Sequence, residues 1–231
     1  MAVQPTIVLV HGFWGGAAHW GKVIVQLSKL GYAEIRAVEN PLTSLADDVA
    51  RTRKMVAQQK GPVILVGHSY GGMVITEVGN SANVVGLVYI AAFAPDTGES
   101  VGSIGQVSPA PGGANAFVDS DGYVWLDPKK FRESFCQDLP ADEALVMAVT
   151  QKAPLAKTAG DTATSPAWKT KPSWYQISSE DRMISPDNEK RMSSRIGARK
   201  VITLAASHAS LASKPVEVAA LIDEAAKATA G

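Results

Sequence analysis

The chain has 231 residues, carries 22 Lys and Arg against 22 Asp and Glu, and is 46% hydrophobic. The balanced charge and the apolar content exclude an intrinsically disordered chain and offer no basic surface for nucleic acid. The single cysteine, Cys136, excludes an intramolecular disulfide and a multi-cysteine metal site, and we interpret it as apolar filler.

The start of the chain and its apolar runs give no sign of export or membrane insertion. Met1 to Pro5 has no basic segment of the kind that opens a signal peptide. The longest apolar stretch, Val84 to Ala94, is much shorter than the roughly 18 residues that a membrane-spanning helix needs. We therefore predict a cytoplasmic protein without membrane contacts.

Short apolar runs alternate with longer helical patterns along most of the chain. The runs are continuous, which is typical of strands buried on both faces of a parallel sheet. The predicted strands are Thr6–Val10, Ala33–Ala37, Val63–Val66, Val85–Ala91, Ser173–Ile177 and Lys200–Leu204. The predicted helices are Ala18–Leu30, one capped by Ser44, Tyr70–Gly79, Ser185 to about Arg195, and one opened by Pro215. This order indicates an α/β fold with a mainly parallel sheet flanked by helices.

One region interrupts this alternation. Residues 95–170 contain no convincing strand; residues 95–122 are rich in Gly, Ser and Pro, and residues 128–151 have the apolar spacing of one or two helices. A segment this long is expected to be functional or to have a structure of its own. We predict that residues 95–170 form a helical cap inserted between the fourth and fifth strands, with residues 1–94 and 171–231 as the core. The alternative is a disordered linker.

The strongest catalytic signal is the sequence G-H-S-Y-G at Gly67–Gly71, which lies between a predicted strand and a predicted helix. A tight turn at that point projects a serine oxygen from the end of the sheet, and it needs small residues two positions before and two after the serine. Gly67 and Gly71 meet this need. The N-terminus of the following helix favours the negative charge that develops there. We therefore predict that Ser69 is a nucleophile.

A second glycine-rich loop, His11 to Gly16, follows the first strand. Acyl transfer passes through an oxyanion that two preorganised N–H groups must stabilise. We assign these donors to the backbone amides of Phe13 and Tyr70, which leaves their side chains free to shape a pocket. We interpret His11 as a structural hydrogen-bonding residue, with a catalytic base as the alternative.

Two polar loops follow the last two predicted strands, at the edge of the sheet where Ser69 lies. His208 is free to approach Ser69 as a general base, because the other three histidines belong to the glycine-rich loops or to the first helix. We assign its carboxylate partner to Asp181. Glu180 is the first alternative, and Asp96, after the fourth strand, is the second.

The nucleophile, acid and base follow one another in the chain order of the α/β-hydrolase triad, and the chain resembles the α/β-hydrolase superfamily. More narrowly, it resembles the small branch that contains plant methylesterases, hydroxynitrile lyases and related bacterial esterases. The motifs that carry the resemblance are V-L-V-H-G at Val8–Gly12, G-H-S-Y-G-G at Gly67–Gly72, E-D-R at Glu180–Arg182 and S-H-A-S-L-A-S-K-P at Ser207–Pro215. The resemblance implies an α/β-hydrolase fold with a six-stranded sheet, and Ser69, Asp181 and His208 as nucleophile, acid and base.

One departure within that branch bears on the reaction. Hydroxynitrile lyases that resemble this chain carry threonine where this chain has Gly12, and lysine after the catalytic histidine, where this chain has Ala209. The resemblance therefore implies ester hydrolysis through an acyl-enzyme and disfavours the lyase reaction. No metal or organic cofactor is expected.

The expected partner is a small, largely uncharged ester substrate, and a homodimer is compatible with the sequence. The residues assigned to the substrate pocket are Gly12, Trp14, Tyr123 and Trp125. Lactonase, thioesterase or perhydrolase chemistry would use the same catalytic residues. A small-molecule receptor of the same fold with little turnover is the alternative from another functional class.

Overall fold

Six parallel strands form the central sheet of the computed structural model, which describes residues 4–230. Their bounds are β1 Thr6–Val10, β2 Ile35–Val38, β3 Val63–Ser69, β4 Val84–Ala92, β7 Ser173–Ser178 and β8 Lys200–Leu204. Their order across the sheet is β2-β1-β3-β4-β7-β8. The chain order reverses beside β1, and in open sheets of this kind ligands bind at the carboxyl ends of the strands next to such a reversal.

Helices cover both faces of the sheet. Their bounds are α1 Gly21–Lys29, α2 Leu45–Ala57, α3 Gly71–Val78, α4 Val101–Val107, α5 Phe131–Phe135, α6 Ala141–Val149, α7 Pro186–Arg195, α8 Ser210–Ser213 and α9 Pro215–Thr229. Helices α1 and α9 pack on one face against Ile7 and Ile64, and α2, α3 and α7 contribute to the cluster on the other face with Val8 and Leu65. Successive residues of β1 and β3 are thus buried on opposite faces, which is why these runs are continuously apolar.

The six predicted strands are confirmed, with differences at their ends. Strand β2 begins at Ile35 rather than Ala33, and β3 continues past Val66 to Ser69. The serine turn is therefore made by the last residue of the strand. The helix predicted from Ala18 begins instead with a 3₁₀ turn, Ala17–Trp20, before α1.

The segment between β4 and β7 contains the predicted helices and also a hairpin that the sequence analysis does not predict. Strand β5, Ala116–Val118, pairs with the antiparallel strand β6, Val124–Leu126. The prediction that residues 95–170 hold no strand is therefore wrong. The division of the chain into a core and a cap stays a prediction, and we call residues 95–170 the cap segment.

The turn of this hairpin explains why it forms. Asp119 Oδ1 accepts hydrogen bonds from the backbone amides of Asp121 and Tyr123, at 3.0 and 2.9 Å. Gly122 has a φ of +85°, which glycine adopts without strain. An Asp-Gly pair between two short apolar runs is a recognised hairpin signal, and Asp121-Gly122 is the signal that sequence analysis could have used.

Within residues 4–230, no helix is both long enough and apolar enough to cross a membrane. The sequence analysis also predicts that Met1 to Pro5 does not open a signal peptide. The first three residues of this segment lie outside the described part of the chain.

Candidate active site

Ser69 occupies a strained turn at the end of β3. Its backbone φ is +55°, in the left-handed region that residues other than glycine rarely adopt. Backbone segments approach closely around this turn. A Cβ atom on Gly67 would lie 2.6 Å from the Gly71 carbonyl oxygen, and one on Gly71 would collide with the Val10 carbonyl oxygen. The two glycines of G-x-S-x-G are therefore a steric requirement of the turn.

His208 and Asp181 form a buried hydrogen-bonded pair. Asp181 Oδ2 lies 2.6 Å from His208 Nδ1, and neither side chain is exposed. The other oxygen, Oδ1, accepts the backbone N–H groups of Met183 and Ile184 at 2.7 and 2.9 Å. This carboxylate favours a proton on Nδ1 of His208, which leaves Nε2 as the ring nitrogen that can accept another.

The two alternative acids differ from Asp181 in their surroundings. The Glu180 side chain is exposed, and its backbone carbonyl accepts a hydrogen bond from Gln137 Nε2 at 2.7 Å. Asp96 forms an ion pair with Lys169, at 2.5 Å, on the surface. The structure therefore brings Asp181, and neither alternative, to His208.

The His208 ring packs against both His68 and Phe135. The ring centroids lie 4.7 Å and 4.8 Å away, respectively. His68 Nε2 donates a hydrogen bond to the His208 backbone carbonyl at 2.8 Å, and burial lowers the pKa of His68 so that its ring is neutral. Because His68 immediately precedes Ser69, this bond ties the His208 loop to the strand that carries Ser69.

The Nε2 atom of His208 is the position that would accept a proton from Ser69. It is buried, and within residues 4–230 it has no hydrogen-bond partner, Ser69 Oγ included. Catalytic hydrogen bonds are often long without substrate and shorten in the complex. The structure thus places the two groups on joined elements without forming the bond between them.

Phe13 and Tyr70, whose amides are the predicted oxyanion donors, stack their rings with centroids 4.1 Å apart. Phe13 is 6% exposed and Tyr70 is fully buried, so these side chains form a structural stack rather than being free to shape a pocket. Neither backbone amide donates a hydrogen bond to another group in the described part of the chain. Both N–H groups therefore remain available to an acceptor.

Asp48, on α2, binds the Tyr70 hydroxyl and so helps to hold this stack in place. Its Oδ2 accepts the Tyr70 hydroxyl at 2.6 Å, and its Oδ1 accepts the Leu42 amide at 2.8 Å. Burial raises the pKa of Asp48 to about 6. Sequence reasoning missed this residue, because an acidic side chain in the first turn of a helix is common and its contact with Tyr70 is purely tertiary.

The residues predicted to line a pocket belong to two neighbouring segments. They are Gly12, Trp14, Tyr123 and Trp125. The Trp14 indole N–H donates to the Val124 carbonyl at 2.8 Å, which joins the loop after β1 to the β5–β6 hairpin. The Trp125 indole donates to Asp119 Oδ2 at 2.8 Å within the hairpin. Contact of these four residues with a substrate stays a prediction.

His11 is fully engaged in structural hydrogen bonds. Its Nδ1 lies 2.8 Å from the Gly12 carbonyl oxygen, to which it donates, and its Nε2 accepts the Asn40 amide at 2.9 Å. Burial lowers the pKa of His11 and keeps the ring neutral. These contacts support the structural interpretation of His11 over the catalytic one.

The cap segment packs directly on the loop that holds His208. Asp138 Oδ2 accepts the Ser207 amide at 3.0 Å, and apolar side chains of α5 and α6 form a cluster with Ala209 and Ala212. Both predicted catalytic side chains are buried, since Ser69 is 5% exposed and His208 is not exposed at all. Sequence reasoning did not connect Asp138 or Phe135 with His208, because both are distant from it along the chain.

Gly12 lies against the serine turn and leads to a stability prediction. A Cβ atom there would lie 2.6 Å from Ser69 Cβ and 2.9 Å from the His68 carbonyl oxygen. We expect Gly12→Ala to lower the free energy of unfolding by about 1–3 kcal/mol, measured by urea denaturation, because the turn must shift to accept the methyl group. Gly105→Ala is the matched control, because no atom of residues 4–230 lies within 4 Å of the added Cβ. Equal stability of the two variants would contradict the steric argument.

Cys136 does not compete as a nucleophile. It is buried, and burial raises the pKa of its thiol to about 12, so the reactive thiolate is absent near neutral pH. Within residues 4–230, no group of three or more His, Cys, Asp and Glu side chains is arranged to hold a metal ion. The chemistry that the arrangement can perform is that of a serine activated by a histidine–carboxylate pair.

Comparison with known proteins identifies the family and the fold. The model of a family described as the alpha/beta hydrolase family matches residues 7–221. The alpha/beta hydrolase nvfD of Aspergillus novofumigatus is 30% identical over 249 aligned positions, which cover 97% of this chain and 97% of that protein.

Solved structures have the same fold. A pyrethroid hydrolase from Sphingobium faniae superposes with a TM-score of 0.81 at 21% identity, over 97% of this chain and 98% of its own. Polyneuridine aldehyde esterase superposes with a TM-score of 0.81 at 20% identity, over 96% of this chain and 99% of its own. At these identities the likeness establishes the fold alone.

Proposed function

The chain belongs to the alpha/beta hydrolase family, as its motifs indicate, and on that premise we propose that it is a serine carboxylesterase acting on small, largely uncharged esters. The observation that carries the proposal is the buried Asp181–His208 pair, held by His68 against the strand end where Ser69 is strained. A nucleophile, a base and a group that orients the base are the parts that acyl transfer through serine requires.

In the proposed mechanism, Ser69 Oγ attacks the ester carbonyl carbon while His208 Nε2 takes the serine proton. The oxyanion accepts hydrogen bonds from the Phe13 and Tyr70 amides. His208 then gives the proton to the leaving alcohol as the ester bond breaks, which leaves an acyl-serine. Water attacks the acyl carbon and gives a proton to His208, which returns it to Ser69 as the carboxylic acid departs. Asp181 stays ionised throughout and stabilises the imidazolium.

The surroundings of the catalytic groups support an uncharged substrate. Phe135 covers one side of His208, and the half-buried Trp14 packs against apolar side chains of the cap segment. Placing an unpaired charge in such surroundings would cost its hydration energy. Lactones and thioesters have the same reacting carbonyl and remain substrates of the proposed site, and perhydrolysis would differ only in the attacking peroxide.

The geometry favours hydrolysis over the lyase reaction. Ala209, where the lyases carry lysine, is fully buried and supplies no cation beside His208. A threonine side chain at Gly12 would overlap the Ser69 turn, because even a Cβ atom would lie 2.6 Å from Ser69 Cβ. Neither group on which the lyases depend has a place here.

Covalent labelling combined with a turnover assay tests the proposal. We expect continuous release of p-nitrophenol from p-nitrophenyl butyrate, and a p-nitrophenyl alkylphosphonate should inactivate the protein with one adduct per chain. Peptide mapping by mass spectrometry should locate that adduct on Ser69. An adduct at another residue would contradict the assignment of the nucleophile. Saturable binding of the ester without turnover or labelling would favour the receptor alternative.

A further inference from the structure

Glu189, on α7, is a fully buried carboxyl group that the proposed mechanism does not use. Its Oε2 accepts the Ser178 backbone N–H at 2.9 Å. Its Oε1 is buried and receives no hydrogen bond from the described part of the chain. The Ser178 carbonyl accepts the Asp181 backbone N–H at 3.2 Å, so Glu189 and Asp181 bond to the same residue and their carboxyl groups are close enough to interact. A buried acid with one unsatisfied oxygen therefore adjoins the proposed catalytic acid.

Two adjacent buried carboxyl groups cannot both be ionised without a large penalty, because their charges repel each other and water is excluded. Within residues 4–230, Asp181 accepts three N–H groups, from Met183, Ile184 and the His208 ring, whereas Glu189 accepts one. The anion is therefore better stabilised on Asp181. Burial, followed by the charge of Asp181, raises the pKa of Glu189 well above its usual range, so the proton resides on Glu189.

We propose that Glu189 is a positioning residue that keeps its proton at neutral pH and donates a hydrogen bond to the Asp181 carboxylate. The inference rests on the proposed function, since it assigns a support to the acid of the same triad. A hydrogen bond to an ionised acceptor is stronger than a neutral one. As a fourth donor, Glu189 holds the carboxylate in the orientation that His208 needs.

The other polar groups near Glu189 do not replace it or keep it ionised. The Tyr175 hydroxyl donates to the Ala92 carbonyl, and burial raises the pKa of Tyr175, so it stays neutral. The arginines of α7 are directed to another carboxylate, since Arg191 and Arg195 both pair with Glu99. Asp181 is thus the charged group that Glu189 faces.

Two substitutions of Glu189 distinguish the effect of its donated hydrogen bond from the effect of its side-chain volume. In Glu189→Gln, the amide can still accept the Ser178 N–H and donate to Asp181, so we expect kcat to stay within about threefold of the wild-type value. In Glu189→Leu the donor is lost. We expect kcat for p-nitrophenyl butyrate to fall about 10- to 100-fold with KM little changed, because one hydrogen bond to a charged group is removed.

Asn188→Leu is the matched control for damage to the helix. Asn188 is buried in the same turn and donates hydrogen bonds to the Ile104 and Ser108 carbonyls, at 3.0 and 2.9 Å. Its replacement should lower the thermal midpoint and leave kcat of the folded protein near the wild-type value. An equal loss of kcat in Glu189→Gln, Glu189→Leu and Asn188→Leu would reduce Glu189 to a structural role and overturn the proposal.

Infrared difference spectroscopy tests the proton without depending on turnover. The carbonyl stretch of a protonated carboxylic acid should be present in the wild-type protein at neutral pH and absent from Glu189→Gln. Identical spectra in that region would mean that Glu189 is ionised, which overturns the proposal. A wild-type kcat in Glu189→Leu would mean that the hydrogen bond from Glu189 does not position the triad, which overturns it as well. If the band belongs to Glu189 but the wild-type protein hydrolyses no ester, the carboxylesterase assignment fails while the protonated Glu189 stands.

Discussion

Ser69→Ala is expected to lower kcat for p-nitrophenyl butyrate by about 10⁶-fold, to a residual rate set by binding and the oxyanion donors. Without the hydroxyl group no acyl-enzyme can form, and His208 has no nucleophile to activate. The fold should survive the change, because alanine accepts the φ of +55° at a cost similar to that of serine. Initial rates and the thermal midpoint of both proteins check the prediction.

Ser179→Ala is the matched control for Ser69→Ala. Ser179 is exposed on the loop before Asp181, and its hydroxyl donates to the Leu204 carbonyl, at 3.2 Å. Its replacement should leave kcat unchanged. Equal rates for the wild-type protein and Ser69→Ala would mean that ester hydrolysis, if present, does not use this serine.

Asp181→Asn is expected to lower kcat by about 10⁴-fold, as in other serine triads. The asparagine oxygen can still accept the Met183 and Ile184 amides that Asp181 Oδ1 accepts now. Its NH₂ group then faces His208 Nδ1 and donates to it, so the ring carries its proton on Nε2 and cannot take one from Ser69. Because the fold stays intact and only the His208 tautomer is wrong, kcat should fall while the thermal midpoint stays at the wild-type value.

Glu180→Gln and Asp96→Asn are the controls for the choice of acid. Both carboxylates lie near the same edge of the sheet: Glu180 is exposed, and Asp96 is half-buried and pairs with Lys169. Both variants should keep wild-type kcat. A nearly silent Asp181→Asn together with an inactive Asp96→Asn would show that the acid is assigned to the wrong residue.

The buried contacts around His208 explain why these effects should be large and distinct. His68 holds the backbone of the loop, Phe135 packs on the ring, and Asp181 binds Nδ1. A histidine whose backbone and ring are both held in this way loses little entropy when it begins to transfer a proton. The same constraint means that a wrong tautomer cannot be corrected by rotation of the side chain.

The sequence by itself determined the strands and the serine turn, because their signals are local. A strand buried on both faces must be apolar at every position, so β1, β3 and β4 are visible as runs. The turn at Ser69 leaves no room for a Cβ atom at Gly67 or Gly71, so its glycines are visible as a motif. The missed β5–β6 hairpin had only one local sign, Asp121-Gly122, in a segment otherwise typical of loops.

Only the tertiary structure decided which side chains meet at the site. Glu180, Asp181 and Asp96 are all carboxylates near the same sheet edge, and only the fold shows that Asp181 contacts His208. Asp48 and Glu189 have the sequence context of ordinary acidic residues in the first turns of helices, yet each is buried beside a residue to which we assign a role in the proposed reaction. Contacts between residues far apart in the chain leave no periodic trace, because they depend on how the elements pack and not on the spacing within any one of them.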